Sequence, residues 1–596
     1  MKKRQANYQQ NHTTHTTTAD QLHQKYGRYS FIRLIVFTLA IGVSIYLLST
    51  NWMAAVGFIF VFLPLFYRFM RWHTAIQEAE QHHRQLAMIN SWELDTLEGD
   101  HSNFPDGAAW VDAQHPYTVD LDIFGPYSVF QFANRCSTAI GERALANYLK
   151  EGVAIEMIKA RQEAVAELSP LLPWRQDLQA YGATTEDQLE HIDLLQRWLD
   201  LTPFVSNNRW LQVAMYLMPF WGIGALVLMF FNVPIFLAAL LFLLPIWIIR
   251  KTVDRVNEVH GLTTKAEEGL RLYARLMQHI EQASFESSHL QQLQAHFRAN
   301  DRTASNAIQQ LSYAISQLNV RYNAFAILLN LFGLWDLHWV WRLELWRAKQ
   351  KALLPQWFEA LAQFEALSSL AAIHYNNPDW QFPEIASKAP LEAIQLGHPL
   401  IHSSKRIGNN LDMPTQGHIK LITGSNMAGK STFLRTVGLN IVLAMAGAPV
   451  CAKRFQTPPL QVYTSMRTQD ALQESTSSFY AELKRLKFII EAVERGDNIF
   501  FLLDEILKGT NSNDRHTGSK ALIKQLIESG GGGLIATHDL ELGALEAQYG
   551  GAIENLCLEV EIKDGKLYFD YTVKKGVSQS FNATLLMQEM GIRIGD

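Results

Sequence analysis

At 596 residues, with 48% apolar residues, 18% charged residues and a net charge of −5, the chain has room for about three to five domains. Its charge provides no global basic field of the kind that argues for nucleic acid. Three cysteines, Cys136, Cys451 and Cys557, lack C-x-x-C spacing, which argues against a thiolate metal site and fits a reduced, cytosol-facing chain.

Residues 1–30 are polar and rich in Thr, His and Gln, and composition alone predicts a disordered tail. His12, His15 and His23 are irregularly spaced, which fits solvated side chains better than a metal site. Two long apolar runs follow. Leu34 to Tyr67 holds 34 residues without a charge, and Trp210 to Ile249 holds 40. A membrane-crossing helix needs about 20 residues, so each run has length for a hairpin of two spans. Polar breaks fall mid-run at Ser49-Thr50-Asn51 and at Asn232-Val233-Pro234. Lys and Arg flank both runs on the outside and are absent from the breaks, which predicts that tail and soluble parts share the cytoplasmic side. The first run is too long for a cleavable signal peptide, and a second crossing follows at once. A buried core hairpin, and for the first run a pair of interfacial helices, are the competing readings.

Between the hairpins, at 31–72 and 210–250, residues 73–209 read as a helical domain. Residues 251–372 read as long helices with heptad-like spacing. Within them Ala324–Trp341 is largely apolar and carries Trp335, Trp339 and Trp341, but Asp336 interrupts it. Burying that carboxylate in lipid costs about 2.5 kcal/mol or more, so an interfacial or packing helix is expected there. Residues 373–596 are punctuated by proline and then turn α/β.

The chemistry concentrates in this last part. Leu421–Phe433, LITGSNMAGKSTF, enters from a strand-like run and leaves into a helix pattern. From Gly424 it reads G-x-x-x-x-G-K-S, the phosphate loop. Glycines let backbone N–H groups turn inward around phosphate oxygens at the positive end of a helix. Gly424, Ser425, Asn426, Met427, Ala428, Gly429, Lys430, Ser431 and Thr432 are the candidate ATP-binding residues. Lys430 is placed to reach the β- and γ-phosphates, and Ser431 to hold Mg²⁺. The run NIFFLLDE ends in Asp504, a second Mg²⁺ ligand, and Glu505, which would orient or deprotonate the attacking water. A third apolar run, Gly533–Thr537, ends in His538, a candidate γ-phosphate sensor. The catalytic set expected is Glu505, Lys430 and His538.

Four blocks in this order, GSNMAGKST, STSSFYAEL, LLDEILKGTNSND and ATHDLEL, resemble the ATPase domain of the MutS mismatch-repair family. Lys430 and Asp504 lie 74 positions apart and no LSGGQ occurs, unlike transporter ATPases of the ABC type. Ser425 and Ala428 depart from the proline and glycine usual in the family's loop. The resemblance implies that Ser477 is presented in trans to the partner subunit's ATP, and that Arg406 and Ile407, in RIGNN, pack on adenine. Where many members have an aromatic, Arg406 would stack its guanidinium plane. Upstream, Val119–Leu168 resembles the family's core domain; Thr138, Gly141, Arg143, Arg161 and Gln162 match as scaffold positions. Lys251–Ala371 fits the family's lever helices. Only Phe382-Pro383-Glu384 resembles the mismatch wedge, in a linker where it is coincidental, and no strand-rich DNA clamp is evident.

The expected fold is therefore a multi-domain, membrane-anchored protein. An all-α MutS-type core and lever region with two transmembrane helical hairpins precedes a C-terminal α/β P-loop ATPase domain of ABC/MutS type. The resemblance implies ATP and Mg²⁺ as ligands and a homodimer through the ATPase domains. Membrane lipids are expected around the hairpins, and DNA is a family-based partner. The alternative output is an ATP-driven membrane switch acting on a protein or lipid without DNA; an ABC-like transporter fits least, with too few spans.

Overall fold

The computed structural model describes residues 2–183, 189–230, 240–298, 303–425, 427–467, 478–563 and 566–579. Among them every element before Glu384 is helical, and strands occur only after it. The all-α then α/β order matches the division read from the sequence.

The N-terminal region departs from expectation. Lys2–Thr50 and Trp52–Glu98 form two helices of 49 and 47 residues, packed antiparallel along their length. At 1.5 Å per residue each is about 70 Å long. Asn51 makes the turn and caps the second helix, accepting from Met53 N at 3.1 Å and Ala54 N at 3.3 Å. Only 6% of the most apolar window of either helix is buried, and Phe31, Leu34, Leu39, Phe60 and Leu65 face outward. A core hairpin of a soluble domain would bury that stripe.

The polar tail expected to be disordered is helical instead. It lacks apolar content for a core of its own, but the second helix offers it a partner. His12 Nδ1 lies 2.9 Å from Ala87 O, and His15 Nδ1 lies 3.0 Å from His83 Nδ1. Tyr26 stacks on His73 with centroids 4.3 Å apart. His12 and His15, read as solvated, thus pair across the helix seam, whereas His23 is exposed. Tyr8 is 1% exposed, and its hydroxyl donates to Asn376 Oδ1 at 2.8 Å.

Asn376 closes the helix Leu354–Asn376, the last before the α/β part. Its Nδ2 donates to Glu93 Oε2 at 2.8 Å, and Arg135 Nε donates to Glu93 Oε1 at 2.6 Å. Burial opposes the charge on Glu93, yet the Arg135 guanidinium and these hydrogen bonds hold its carboxyl below the ordinary range. One buried joint thus ties both long helices, the Arg135 loop and the helix leading to the C-terminal domain.

The lever region also differs from expectation. Instead of long helices, Leu243–Asn376 holds a packed set of shorter ones, the longest with 23 residues. Non-helical backbone at Ala283 and left-handed backbone at Leu334 (φ 47°) interrupt the heptad-like pattern. Leu334 also splits the tryptophan patch. Ala324–Gly333 points Phe325, Ile327 and Leu328 outward, whereas Trp335–Gln350 buries Trp339 and Trp346. Asp336, the carboxylate expected to exclude a span, sits 3.5 Å from Arg321.

The second apolar run gives helices Arg209–Phe230 and Leu243–Thr263, with Phe220, Ile223 and Trp247 exposed. Residues 231–239, including the Asn232–Pro234 break, lie outside the described residues. Among the described residues, two helices have the length and apolarity of a membrane span, both in the N-terminal hairpin, against four spans expected over the two runs. In the second run Leu243–Thr263 turns polar from Arg250 onward.

Between these parts, the core-domain scaffold positions do what small and polar residues do at helix junctions. Thr138 caps Ala139–Lys150, Gly141 leaves space that a Cβ would lose to Glu365, and Gln162 donates to Pro383 O at 2.9 Å.

The C-terminal domain carries a six-stranded sheet in the order Lys566–Lys575, Ile553–Lys563, Ile419–Gly424, Gly532–Thr537, Ile499–Asp504, Gln461–Ser465. All pairs are parallel except the first. The three central strands are buried throughout, as their continuous apolar text requires. A four-stranded sheet built from Glu384–Ile385, Leu391–Leu396, Asn409–Met413 and Arg454–Thr457 lies beside it in the chain.

Glu93→Ala leaves Arg135 buried without its carboxylate, which costs about 3–5 kcal/mol. The thermal midpoint of the full chain should fall clearly, and an unchanged midpoint would remove the joint from its structural role.

Candidate nucleotide site

In a parallel α/β sheet, ligands gather where the carboxyl ends of strands open into loops. Three such ends meet here. Gly424 ends one central strand, Asp504 a second and Thr537 the third, with His538 next. The blocks recognised along the sequence are therefore brought to one place.

The loop has the backbone that its glycines permit. Gly424 holds φ 155° and Gly429 φ 99°. A Cβ on Gly424 would stand 2.6 Å from Leu558 O, so no other residue fits there without movement. Met427 reaches φ 66° without being glycine, and its side chain is exposed. Asn426 lies outside the described residues. The helix Lys430–Ala446 starts directly after Gly429, so Ser431 and Thr432 sit in its first turn with unpaired N–H groups aimed toward the loop. Lys430 Nζ donates to Gly424 O at 2.9 Å and to Ser425 O at 3.1 Å. Its ammonium thus occupies the loop's own carbonyls, and burial lowers its pKa.

Across the sheet, Glu505 Oε1 lies 2.6 Å from His538 Nε2, and Lys508 Nζ lies 3.4 Å from Glu505 Oε2. Lys430 Nζ is 3.3 Å from the same His538 nitrogen. A single ring nitrogen cannot donate to Glu505 and accept from Lys430 at once. The shorter contact assigns the proton to Nε2. The His538 hydrogen bond is the main reason that the Glu505 carboxyl is held down to about 2, with Lys508 adding to it against the effect of burial. So held, Glu505 is a weak proton acceptor until these contacts loosen.

Asp504 is buried, and its Oδ1 has no hydrogen-bond partner among the described residues. A buried carboxylate oxygen left open costs free energy unless a cation or donor meets it. With Ser431 exposed at the helix start, this donor set fits Mg²⁺, which supplies charge neutralisation at transferring phosphates.

Two expectations drawn from the resemblance end differently. Ser477 lies outside the described residues, as do Ser475 and Thr476. The Arg406 guanidinium lies 5.4 Å from the Trp380 ring centroid, and its Nε donates to Ile401 O at 2.9 Å. Ile407 beside it is exposed. An aromatic, Tyr571, does stand beside the loop: its Cδ1 would lie 3.0 Å from a Cβ on Gly429. Tyr571 has φ 52° and sits in the irregularity between Phe569 and Val573. Asn409 fastens that bulge, donating to Tyr571 O at 3.0 Å and accepting from Val573 N at 2.8 Å. The sequence carried one signal for this: an aromatic pair, Phe569 and Tyr571, in a strand late in the domain.

Residues 420–588 match the family model described as MutS domain V. The C-terminal unit is a MutS-type ATPase domain. Over 235 residues the chain is 32% identical to the DNA mismatch repair protein MutS of Thermotoga neapolitana. It is 30% identical over 245 residues to that of Bacillus subtilis. Both matches cover 39% of this chain and 28% of the relative. An endonuclease MutS2 of Thermus thermophilus is 30% identical over 211 residues, 35% of this chain and 27% of the relative. The chain thus matches under a third of the length of these relatives.

The depressed Glu505 carboxyl has a consequence for pH. Its folded value of about 2 lies below the unfolded value near 4.3, so the stabilisation from His538 and Lys508 is full above that unfolded value. It is lost as pH falls through the folded value. A carboxyl followed by NMR in the nucleotide-free protein should titrate near the lower figure. Titration in the ordinary carboxylate range would show that the Glu505–His538 contact does not form.

Proposed function

We propose that the chain is a membrane-anchored MutS-type ATPase that hydrolyses ATP between paired C-terminal domains and passes the resulting movement to its N-terminal hairpin. The observation that carries this reading is the convergence of the phosphate loop, Asp504, Glu505 and His538 at three adjacent strand ends, in a domain matched to MutS domain V. Gly424–Thr432 would cradle the triphosphate, with Lys430 leaving the loop carbonyls for the phosphates and Tyr571 beside the base. Asp504 and Ser431 would hold Mg²⁺. Glu505, freed from His538 and Lys508, would orient the attacking water, and Ser477 of the second copy would close the site.

Anchoring is supported by the exposed apolar length of the hairpin. The polar part of the stem, from Tyr8 to about Ser30, spans about 35 Å at helical rise, so the ATPase would stand well clear of the bilayer. The exposed faces of Arg209–Phe230 and Ala324–Gly333 suit a second lipid contact, with the soluble parts on the cytoplasmic side. ATP can shift this machine only by binding its open and closed states with different affinity.

A second reading couples hydrolysis to DNA, and it rests on the relatives named as mismatch repair proteins. Turnover of the full chain separates the two. Stimulation by vesicles carrying anionic lipid and indifference to duplex, mismatched and branched DNA supports the membrane switch; DNA stimulation that falls with salt supports the other.

Glu505→Gln should bind ATP with nearly wild-type affinity while kcat drops on the order of 100-fold or more, the loss expected for a water-orienting group. Asp504→Asn should raise the Mg²⁺ concentration needed for half-maximal turnover by about tenfold or more, as expected on losing a charged ligand. Unchanged turnover in either variant contradicts the assignment. Brominated lipid should quench Trp52 and Trp72 fluorescence if the hairpin enters the bilayer.

A further inference from the structure

The turn after Asp504 is held in an unfavourable shape. Glu505 has φ 53° and Leu507 φ 61°, backbone that costs about 1–3 kcal/mol at each non-glycine residue. The Glu505 N–H donates to Ala536 O at 2.9 Å, which ties the start of the turn to the neighbouring strand. The rest is tied elsewhere. The Leu507 N–H donates to Glu482 Oε1, and the Lys508 N–H hydrogen-bonds the same carboxylate. Glu482 belongs to the helix Ser478–Glu494, the element that follows residues 468–477. The same helix touches the turn a second time. A Cβ on Gly509 would stand 2.6 Å from Phe479 Cβ, so Phe479 lies directly on the Gly509 backbone.

Glu482 is costly where it stands. Burial raises its pKa, and Oε2 is buried without a partner among the described residues. A carboxylate in such a place is not explained by helix stability alone, since an apolar residue would pack there without the desolvation cost.

We propose that Glu482 is a positioning residue: with Phe479 it locks the Glu505–Gly509 turn to the helix Ser478–Glu494, so that moving this helix re-aims the Glu505 carboxylate. This deepens, and rests on, the reading of Glu505 as the water-orienting group. A shift of about 1 Å at the Glu505 carboxylate is enough to alter catalysis on the order of 100-fold.

The test compares Glu482→Ala, Glu482→Gln and Gly509→Ala in the full detergent-solubilised chain, reading kcat, KM, equilibrium binding of Mg-ATP and thermal midpoint. Glu482→Ala should lower kcat on the order of 100-fold while nucleotide affinity stays within about threefold, the signature of lost geometry rather than lost binding. Glu482→Gln keeps an acceptor oxygen for the Leu507 N–H and should recover most of that loss. Gly509→Ala pushes the turn off Phe479 from the other side and should repeat the split between kcat and binding. Wild-type kcat in Glu482→Ala overturns the proposal. So does a parallel loss of kcat and binding in Glu482→Gln or Gly509→Ala with unchanged midpoints. If the wild-type chain binds Mg-ATP but does not hydrolyse it, the reading of Glu505 itself fails, a result distinct from active wild type with indifferent variants.

Discussion

The molecule turns on a buried joint of four side chains. Glu93 from the second long helix meets Arg135 of the helical core and Asn376 at the end of the last helix before the α/β domain. Tyr8, near the start of the chain, bonds Asn376 from the other side. These contacts are buried, so each donor and acceptor is worth more made than missing. Two helices about 70 Å long cannot bend freely. Fastened at this point, they move with the helix Leu354–Asn376 or not at all.

The nucleotide site shows the complementary arrangement, in which functional groups restrain one another. Lys430 holds its own loop's carbonyls, and Glu505 is gripped by His538 and Lys508. Under the function proposed above, each contact would give way to a triphosphate, a metal ion or a water. As held, the Glu505 carboxyl is too acidic to draw a proton, and the Lys430 ammonium is bound to the loop carbonyls. Asp504 Oδ1 is left open among the described residues.

How much of this could be read from sequence follows from how local each feature is. Strand, glycine loop and helix are contiguous from Ile419 to Ala446, so the phosphate loop was legible as text, and so were Asp504 and Glu505 at the end of an apolar run. The tail was misread because its polarity was judged alone; its helix depends on Ala87, His83 and Asn376, which lie 68 or more positions away. The surroundings of Arg406 were hidden for the same reason, since Trp380 and the Ile401 carbonyl meet it only in the fold. The lever region had helical spacing, but the spacing did not reveal where backbone at Ala283 or Leu334 would break it. Of the second run only the two flanks are described, as the helices Arg209–Phe230 and Leu243–Thr263, so its turn lies outside the described residues.

The central claim is that the nucleotide state and the hairpin base are one mechanical system. Hydrogen exchange of the full chain tests it most directly, comparing nucleotide-free protein with Glu505→Gln holding Mg-ATP. Amides in residues 4–16 and 86–97, which flank the joint far from the phosphate loop, should change protection together with those around Gly424–Thr432. Protection confined to the phosphate loop, with the hairpin base unaltered, would contradict the account.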